Sequence, residues 1–394
     1  MKTTRFGFGS YVAVLSVCGL QFLSMTFLSI SVRAQSATTT PTPPPIPGNF
    51  DWTNLQSDVA GVADRTDANL VNPWGIAIAP GKGNPFWISN NNSGTSTLYN
   101  LDGSPVSLVV TIPTTSADTG GIAAPTGIVF NGSATDFILT EDGKAAAFIF
   151  DGEDGSITAW NGNLNPITKA VIKVDNSSPD PTKSSVYKGL ALAKRSSGGL
   201  TLYATNFHNG TVDVYDTTFK KATISGTFTD PMTKPPLPTG AVGWAPFGIA
   251  NIDGLLFVTF AAQNSVKHDD VGAAGAGFVD VFDTEGNFME RLATGGALNS
   301  PWGLAEVPSQ FGSLASETLL VGNFGDGHIN AYDIKSKKFL GQLFHRKKQP
   351  LVFNGLWSLL FVDNRLYFTA GIVDEAHGDF GFIVPAAREE TGGF

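Results

Sequence analysis

Asn72-Pro73-Trp74-Gly75-Ile76-Ala77 is a small turn, a glycine and an apolar run, and the chain repeats it. It returns as Ala124-Pro125-Thr126-Gly127-Ile128-Val129, Val186-Tyr187-Lys188-Gly189-Leu190-Ala191 and Ala245-Pro246-Phe247-Gly248-Ile249-Ala250. Ser300-Pro301-Trp302-Gly303-Leu304-Ala305 and Phe353-Asn354-Gly355-Leu356-Trp357 complete the series. The glycines stand 52, 62, 59, 55 and 52 residues apart. A repeat of that length is the period of a propeller blade, because one small sheet cannot bury both faces without a neighbour. Pro holds the residue before it extended. Gly lets backbones approach closely where the first strands crowd an axis.

Each repeat continues in the same order. The glycine opens a short apolar strand. A second strand follows, as in Phe86-Trp87-Ile88-Ser89 or Leu319-Leu320-Val321-Gly322. A polar, glycine-bearing turn then leads to an alternating third strand, as in Val212-Asp213-Val214-Tyr215 or Val279-Asp280-Val281-Phe282. A second turn and a fourth strand close the unit, as in Val106 to Ile112. Period-two runs bounded by Gly, Asn and Asp are strand and hairpin signals. The reading is an all-β, six-bladed β-propeller with four antiparallel strands per blade. The sixth repeat supplies three strands, and Trp52 to Ala60 has no blade of its own. An N-terminal strand is therefore expected to complete the last blade and remove an open sheet edge.

Of 394 residues, 42% are hydrophobic and 15% charged, with 45 Gly and 29 Phe, which suits a turn-rich β fold rather than a helical bundle. The net charge of −9 argues against nucleic acid and anionic membranes as partners. Lys2 and Arg5 precede an apolar stretch from Tyr11 to Val32, and Val32-Arg33-Ala34 has the shape of a cleavage site. The domain expectations are a signal peptide over 1–34, a Thr/Pro-rich linker over 35–49, the propeller over 50–385 and a tail over 386–394. An uncleaved anchor is the other reading of the apolar stretch. With cleavage the protein is secreted, to the cell envelope or beyond, as a monomer without stable membrane insertion. Cys18 is the lone cysteine, so the mature domain has no disulfide.

In an up-and-down blade, the start of the first strand and the end of the second share one rim. Counting nine residues back from each third-strand aromatic reaches Asn90, Asp151, Asn206 and Asn323, with Asp374 in a similar place in the sixth repeat. The insertion Gln263 to Gly277 offers Asp269 and Asp270 instead, and Glu153 falls in the same set of turns. His208, His268, His328 and His377 lie in or beside those turns as well. Asn and Asp at hairpins serve the turn itself, by tolerating positive φ and bonding their own backbone. They also form a ring of oxygens suited to Ca²⁺ or another divalent cation, here Asn90, Asp151, Glu153, Asn206, Asn323 and Asp374. Trp74, Trp302 and Phe247 are candidates to stack on a ligand, or else pack between blades. Asp151-Gly152-Glu153-Asp154-Gly155 is half a calcium loop at most and reads as a turn. There is no G-x-S-x-G, H-E-x-x-H, P-loop or EF-hand loop.

Asn69 to Ala77, Ala124 to Gly132, Tyr187 to Ala191, Asn206-Phe207-His208-Asn209-Gly210 and Val321 to Gly327 resemble an uncharacterised family of exported bacterial NHL-like propellers. Some of its members carry a PEP-type C-terminal sorting tail, which Ala386 to Phe394 does not match. The resemblance implies the propeller fold and export, and it brings no activity or site residues. More distantly, the layout is similar to six-bladed lactonases and virginiamycin-type lyases. Two functions are therefore expected. One is a secreted module that binds a ligand, glycan or protein at the channel mouth. The alternative is a divalent-metal-dependent hydrolase or lyase, with His208 or His268 as general base.

Overall fold

The first strand of every blade lines a central axis, and the blade is built outward from it. This holds in a computed structural model that describes residues 43–46, 48–117, 121–196, 198–346 and 349–387. The expected signal peptide, most of the linker and most of the C-terminal tail lie outside the described residues. Among the described residues, no helix is long and apolar enough to cross a membrane.

The first blade orders Pro73–Ile78, Phe86–Asn90, Thr95–Tyr99 and Pro105–Thr111 from the axis outward, all antiparallel. The second, fourth and fifth blades repeat this four-stranded pattern. The third blade is a three-stranded sheet, Tyr187–Lys194, Leu200–Asn206 and Thr211–Tyr215. The segment that follows covers that sheet with Ala222, Ile224 and Phe228, part of the apolar cluster it shares with the fourth blade.

The sixth blade takes Leu356–Val362, Arg365–Ala370 and Asp379–Pro385 from the end of the chain. Its outer strand is Phe50–Ser57, paired antiparallel from Phe50 opposite Pro385 to Ser57 opposite Asp379. The N-terminal strand thus ties the ring shut, as the surplus strand in the sequence implied. Residues before it are docked too: Ile46 N–H bonds Gln342 O at 3.0 Å, and Gln342 N–H bonds Pro44 O at 3.0 Å.

The glycine phrase proves to be an axial packing device. A Cβ on Gly75 would lie 2.7 Å from the Thr126 carbonyl oxygen of the next blade, well inside contact distance. Gly248 and Gly303 face Trp302 O and Trp357 O in the same way. In the sixth blade the register differs from the sequence reading. Gly355 sits in the preceding turn at φ 67°, and Ser358 occupies the axial place, its N–H bonded to Thr369 Oγ1 at 3.1 Å. Gly248 N–H makes the equivalent bond to Thr259 Oγ1 at 2.7 Å. The axial site requires a small side chain rather than a glycine conformation, and Ser meets that need.

Candidate functional site at the channel mouth

The residue before each axial Gly or Ser points toward the axis. In blade order these residues are Trp74, Thr126, Lys188, Phe247, Trp302 and Trp357. The aromatic members close the channel. Trp74 stacks on Trp357 with ring centroids 3.3 Å apart, and Trp302 meets both edge-on at 6.0 and 5.7 Å. Phe247 and Phe207 complete a buried cluster. Trp74, Trp302 and Phe247, considered above as ligand stackers, are packed within this cluster: Trp74 on Trp357, Trp302 edge-on to both, and Phe247 against Phe207, Phe324 and Trp357. Below this plug the channel holds a cavity of about 360 Å³ along the first strands.

Lys188 is the charged member of this otherwise uncharged column and is only 3% exposed. Its Nζ lies 5.2 Å over the Trp74 ring, a cation–π contact, and is ion-paired with Glu153. Around it the blades contribute a hydrogen-bonded ring. Glu153 Oε2 accepts from Asn91 Nδ2 at 3.0 Å. Asn91 Oδ1 accepts from Asn72 Nδ2 at 3.5 Å, and that amide also donates to Glu375 Oε2 at 2.7 Å. Asn72 Oδ1 takes the Trp357 indole N–H at 3.0 Å, which joins the ring to the plug. On the other side Lys188 lies 3.9 Å from Asp269, whose carboxylate bonds His268 Nδ1 at 2.7 Å. The chain of contacts runs through the sixth, first, second, third and fourth blades.

Local turns set these groups in place. Glu153 rides the hairpin from Gly152 to Gly155, where Asp154 Oδ1 caps the N–H and hydroxyl of Ser156. This is the turn that resembled half a calcium loop. In the insertion, Asn264 Oδ1 accepts the N–H groups of Val266 at 3.2 Å and His268 at 3.1 Å, folding the segment over the mouth. Glu375 ends a left-handed run, Val373, Asp374 and Glu375 at φ 56°, 50° and 65°. Such backbone is strained for non-glycine residues. Asn92 Nδ2 helps to hold it, donating to Glu375 O at 2.8 Å.

The electrostatics follow from burial and pairing. Burial pushes the Glu153 carboxyl up, but the Lys188 charge, then His268 and the hydrogen bonds, hold it below its ordinary range. Burial lowers the Lys188 ammonium, and Glu153 more than reverses that. Burial raises the carboxyls of Asp270 and Glu375. Asp151 is pushed up to about 7 by burial.

The expected ligand set separates. Asn90 donates to Thr95 and Thr97 of its own blade, at 3.2 and 3.0 Å. Asn206 donates to Ser185 and Asp213, at 2.9 and 3.0 Å. Asn323 donates to Ala297 O and Asp326, at 2.8 and 3.0 Å. All three are fully buried at the end of a second strand, where their amides lock the hairpin. Asp151 stands one register position away: Pro125 pairs with Gly152, whereas Pro73 pairs with Asn90. Its carboxylate accepts from Thr126 Oγ1 at 2.8 Å and Gly127 N–H at 2.6 Å. Asp374 is exposed on the mouth. Of the set, Glu153 alone joins a His/Asp/Glu group, with His268 and Asp269, in which potential ligand atoms lie within 4.8 Å of one another. His208 is buried, its Nε2 3.1 Å from Thr182 O, and His377 bonds Asp58 at 2.7 Å.

Two clefts open on this face. One, about 430 Å³, is lined by Glu153, His208, His268 and Asp269 together with Thr115 and Ser177. The other, about 480 Å³, lies between the fifth and sixth blades and is lined by Phe324, Asp326, Asn354, Asp374 and Glu375. Phe324 is half-buried and stacks on Trp357, centroids 4.0 Å apart at 19°. Lys188, Asn72, Asn91, Phe324 and Glu375 were not selected from the sequence. Aligning the residue before each axial position would have exposed Lys188 as a charge among tryptophans.

No protein-family model matches the chain. The uncharacterized protein R648 of Acanthamoeba polyphaga mimivirus is 30% identical over 336 residues, covering 84% of this chain and 78% of its own length. A solved glucose dehydrogenase superposes with a TM-score of 0.52 at 15% identity, covering 86% of this chain and all of its own. The soluble aldose sugar dehydrogenase of Escherichia coli gives 0.50 at 13% identity over the same shares. At such identities the likeness establishes a shared propeller fold.

Proposed function

The chain belongs to the family of the mimivirus protein R648, and for this propeller we propose a binding function, recognition of a small hydroxyl-rich ligand of carbohydrate type at the channel mouth. The observation that carries the reading is the cleft between the fifth and sixth blades. It offers one face of an aromatic ring, Phe324, backed by Trp357 and bordered by Asp326, Asn354, Asp374 and Glu375. An apolar platform for a sugar's C–H face beside carboxylates and amides for its hydroxyls is the usual composition of such a site. Two structural neighbours, a glucose dehydrogenase and an aldose sugar dehydrogenase, act on sugars, which supports this choice of ligand.

Calorimetric titration of the purified domain with a panel of mono- and oligosaccharides tests it. Phe324→Ala and Glu375→Gln should each weaken a binding sugar about tenfold or more, with the melting temperature little changed for Phe324→Ala. A panel without a binder, or a binder indifferent to both changes, would refute the reading.

A second reading, hydrolase or lyase chemistry in the neighbouring cleft, is favoured by the 2.7 Å bond from Asp269 to His268 Nδ1, which orients Nε2 as a general base. A turnover screen against esters, lactones and glycosides with His268→Ala as control decides it. Export belongs to the proposal too, supported by the basic-then-apolar opening and Val32-Arg33-Ala34. N-terminal sequencing of the secreted protein should begin at Gln35.

A further inference from the structure

Glu153, His268 and Asp269 present two carboxylates and an imidazole with potential ligand atoms within 4.8 Å of one another. That donor set and spacing suit a divalent transition metal such as Zn²⁺ or Mn²⁺. An acidic cluster alone would say little. Here a second, independent feature is built into it. Lys188, from a different blade, reaches the cluster with its ammonium, ion-paired with Glu153 and 3.9 Å from Asp269. Its side chain is 3% exposed, so the charge has been taken out of water to stand there. The stem threads the aromatic plug, with Nζ over Trp74 and Phe207 at 5.2 and 5.9 Å. Trp302 Nε1–H anchors the Lys188 carbonyl at 2.8 Å. The remaining Glu153 oxygen is engaged by Asn91.

We propose that the Lys188 ammonium is the resident cation of the Glu153–His268–Asp269 cluster, standing where a divalent metal would otherwise bind. The wall of this cleft then meets its ligand through hydrogen bonds rather than through a coordinated ion. An ammonium in contact with the carboxylates repels any arriving dication and already neutralises Glu153, the least exposed member of the cluster. Removing the ammonium while keeping its bulk should turn the cluster into a metal site. The inference is independent of the ligand held at the Phe324 cleft, and a metal titration reads it separately from a sugar titration.

The experiment uses Zn²⁺ and Mn²⁺ as probes on the full propeller domain, by calorimetry and by thermal melt. The unsubstituted protein should show no Zn²⁺ binding of the kind that Glu153→Gln abolishes. Lys188→Met should bind Zn²⁺ at one site at least about tenfold more tightly than the unsubstituted protein, the ammonium's repulsion being gone. The double variant Lys188→Met/Glu153→Gln should lose that gain, and Lys188→Arg, which keeps a cation, should show none. If Lys188→Met melts low, added Zn²⁺ should raise its melting temperature toward that of the unsubstituted protein. The proposal is overturned if the unsubstituted protein already binds either metal through Glu153, or if Lys188→Met neither binds Zn²⁺ nor is restabilised by it.

Discussion

Replacing Glu153 by Gln tests the physical account of the mouth most directly. Gln keeps the length of the side chain and its acceptor for Asn91 but removes the charge that answers Lys188. Lys188 is 3% exposed, so its ammonium would be left buried with Asp269 as a distant partner at 3.9 Å. Breaking a buried ion pair from one side costs about 3–5 kcal/mol. Unfolding entropy of ~2 cal/mol/K per residue, over a ring of about 340 residues, turns that into a fall of ~4–7 °C in melting temperature. Scanning calorimetry at pH 7 measures it. The pH dependence carries a sign. The folded Glu153 carboxyl is held below the ordinary glutamate range, so the pair's contribution is complete above that range and is lost as pH falls through the folded pKa. The gap between the two proteins should therefore narrow on acidification below about pH 4. Lys188→Met should cost less than Glu153→Gln, because the Glu153 left unpaired is 14% exposed and keeps its bond from Asn91, whereas the ammonium left unpaired is 3% exposed. A Glu153→Gln protein melting within about 1 °C of the original at pH 7, or a gap that ignores pH, would refute the reasoning.

Three other outcomes follow from the same geometry. Asp151→Asn should raise the melting temperature at pH 8 and leave it nearly unchanged at pH 4: the folded carboxyl titrates at about 7 against 3.8 unfolded, so the original protein loses stability as pH rises between those values. The effect is bounded by ~1.4 kcal/mol for each pH unit between the two values. Gly75→Ala should destabilise by about 1–3 kcal/mol, read by chemical denaturation, because its Cβ would lie 2.7 Å from Thr126 O, whereas Ser358→Gly should be tolerated. Starting the chain at Asp58 removes the strand Phe50–Ser57 and leaves Asp379–Pro385 as an open edge; size-exclusion chromatography should show aggregation that the chain with this strand does not.

The architecture was legible because the axial constraint is stringent. A position with room for no more than a small side chain recurs at blade spacing, and Gly meets it five times. The third blade, with three strands instead of four, departed from the sequence reading, as did Asn72 and Ser300, left-handed at φ 48° and 45° before their prolines where extended backbone was expected. The same stringency explains the slip at the sixth repeat. At the sixth repeat a glycine was sought and Gly355 found, but the constraint concerns side-chain volume, and Ser358 satisfies it. Which turns share the mouth was legible too, since it follows from antiparallel connectivity. The side chains that meet there were legible only in part. Asn90, Asn206 and Asn323 share a turn position and point back into their own blades, where hairpin amides need them. Glu153, one hairpin position beyond the buried Gly152, points inward. That choice depends on local register, as the offset between Pro125–Gly152 and Pro73–Asn90 shows, and periodicity alone does not carry it. Glu375 lies in a loop set by left-handed residues and by Asn72 and Asn92, about 300 positions away in the chain, and Phe324 in a loop held by Ser300 and stacked on Trp357 of the next blade.

The plug and the ring together restrict where function can reside. Three tryptophans close the axis, so a ligand entering at the mouth meets the polar ring and cannot pass to the cavity beneath. The ring in turn has no single owner. Glu375 comes from the blade that the N-terminal strand completes, and Asn72, which holds it, also holds Trp357 of the plug. Closure of the propeller and assembly of its mouth are therefore linked through Asn72. A change that loosens Phe50–Ser57 from Asp379–Pro385 acts on the strand that leaves the Glu375 turn, and through it on the Asn72–Asn91–Glu153–Lys188 chain. A weakened closure should consequently lower ligand affinity at the mouth before it unfolds the ring. A graded series of substitutions in Phe50–Ser57, with affinity and melting temperature measured on each, would show affinity falling first; a melting temperature that falls while affinity holds would refute the link between closure and the mouth.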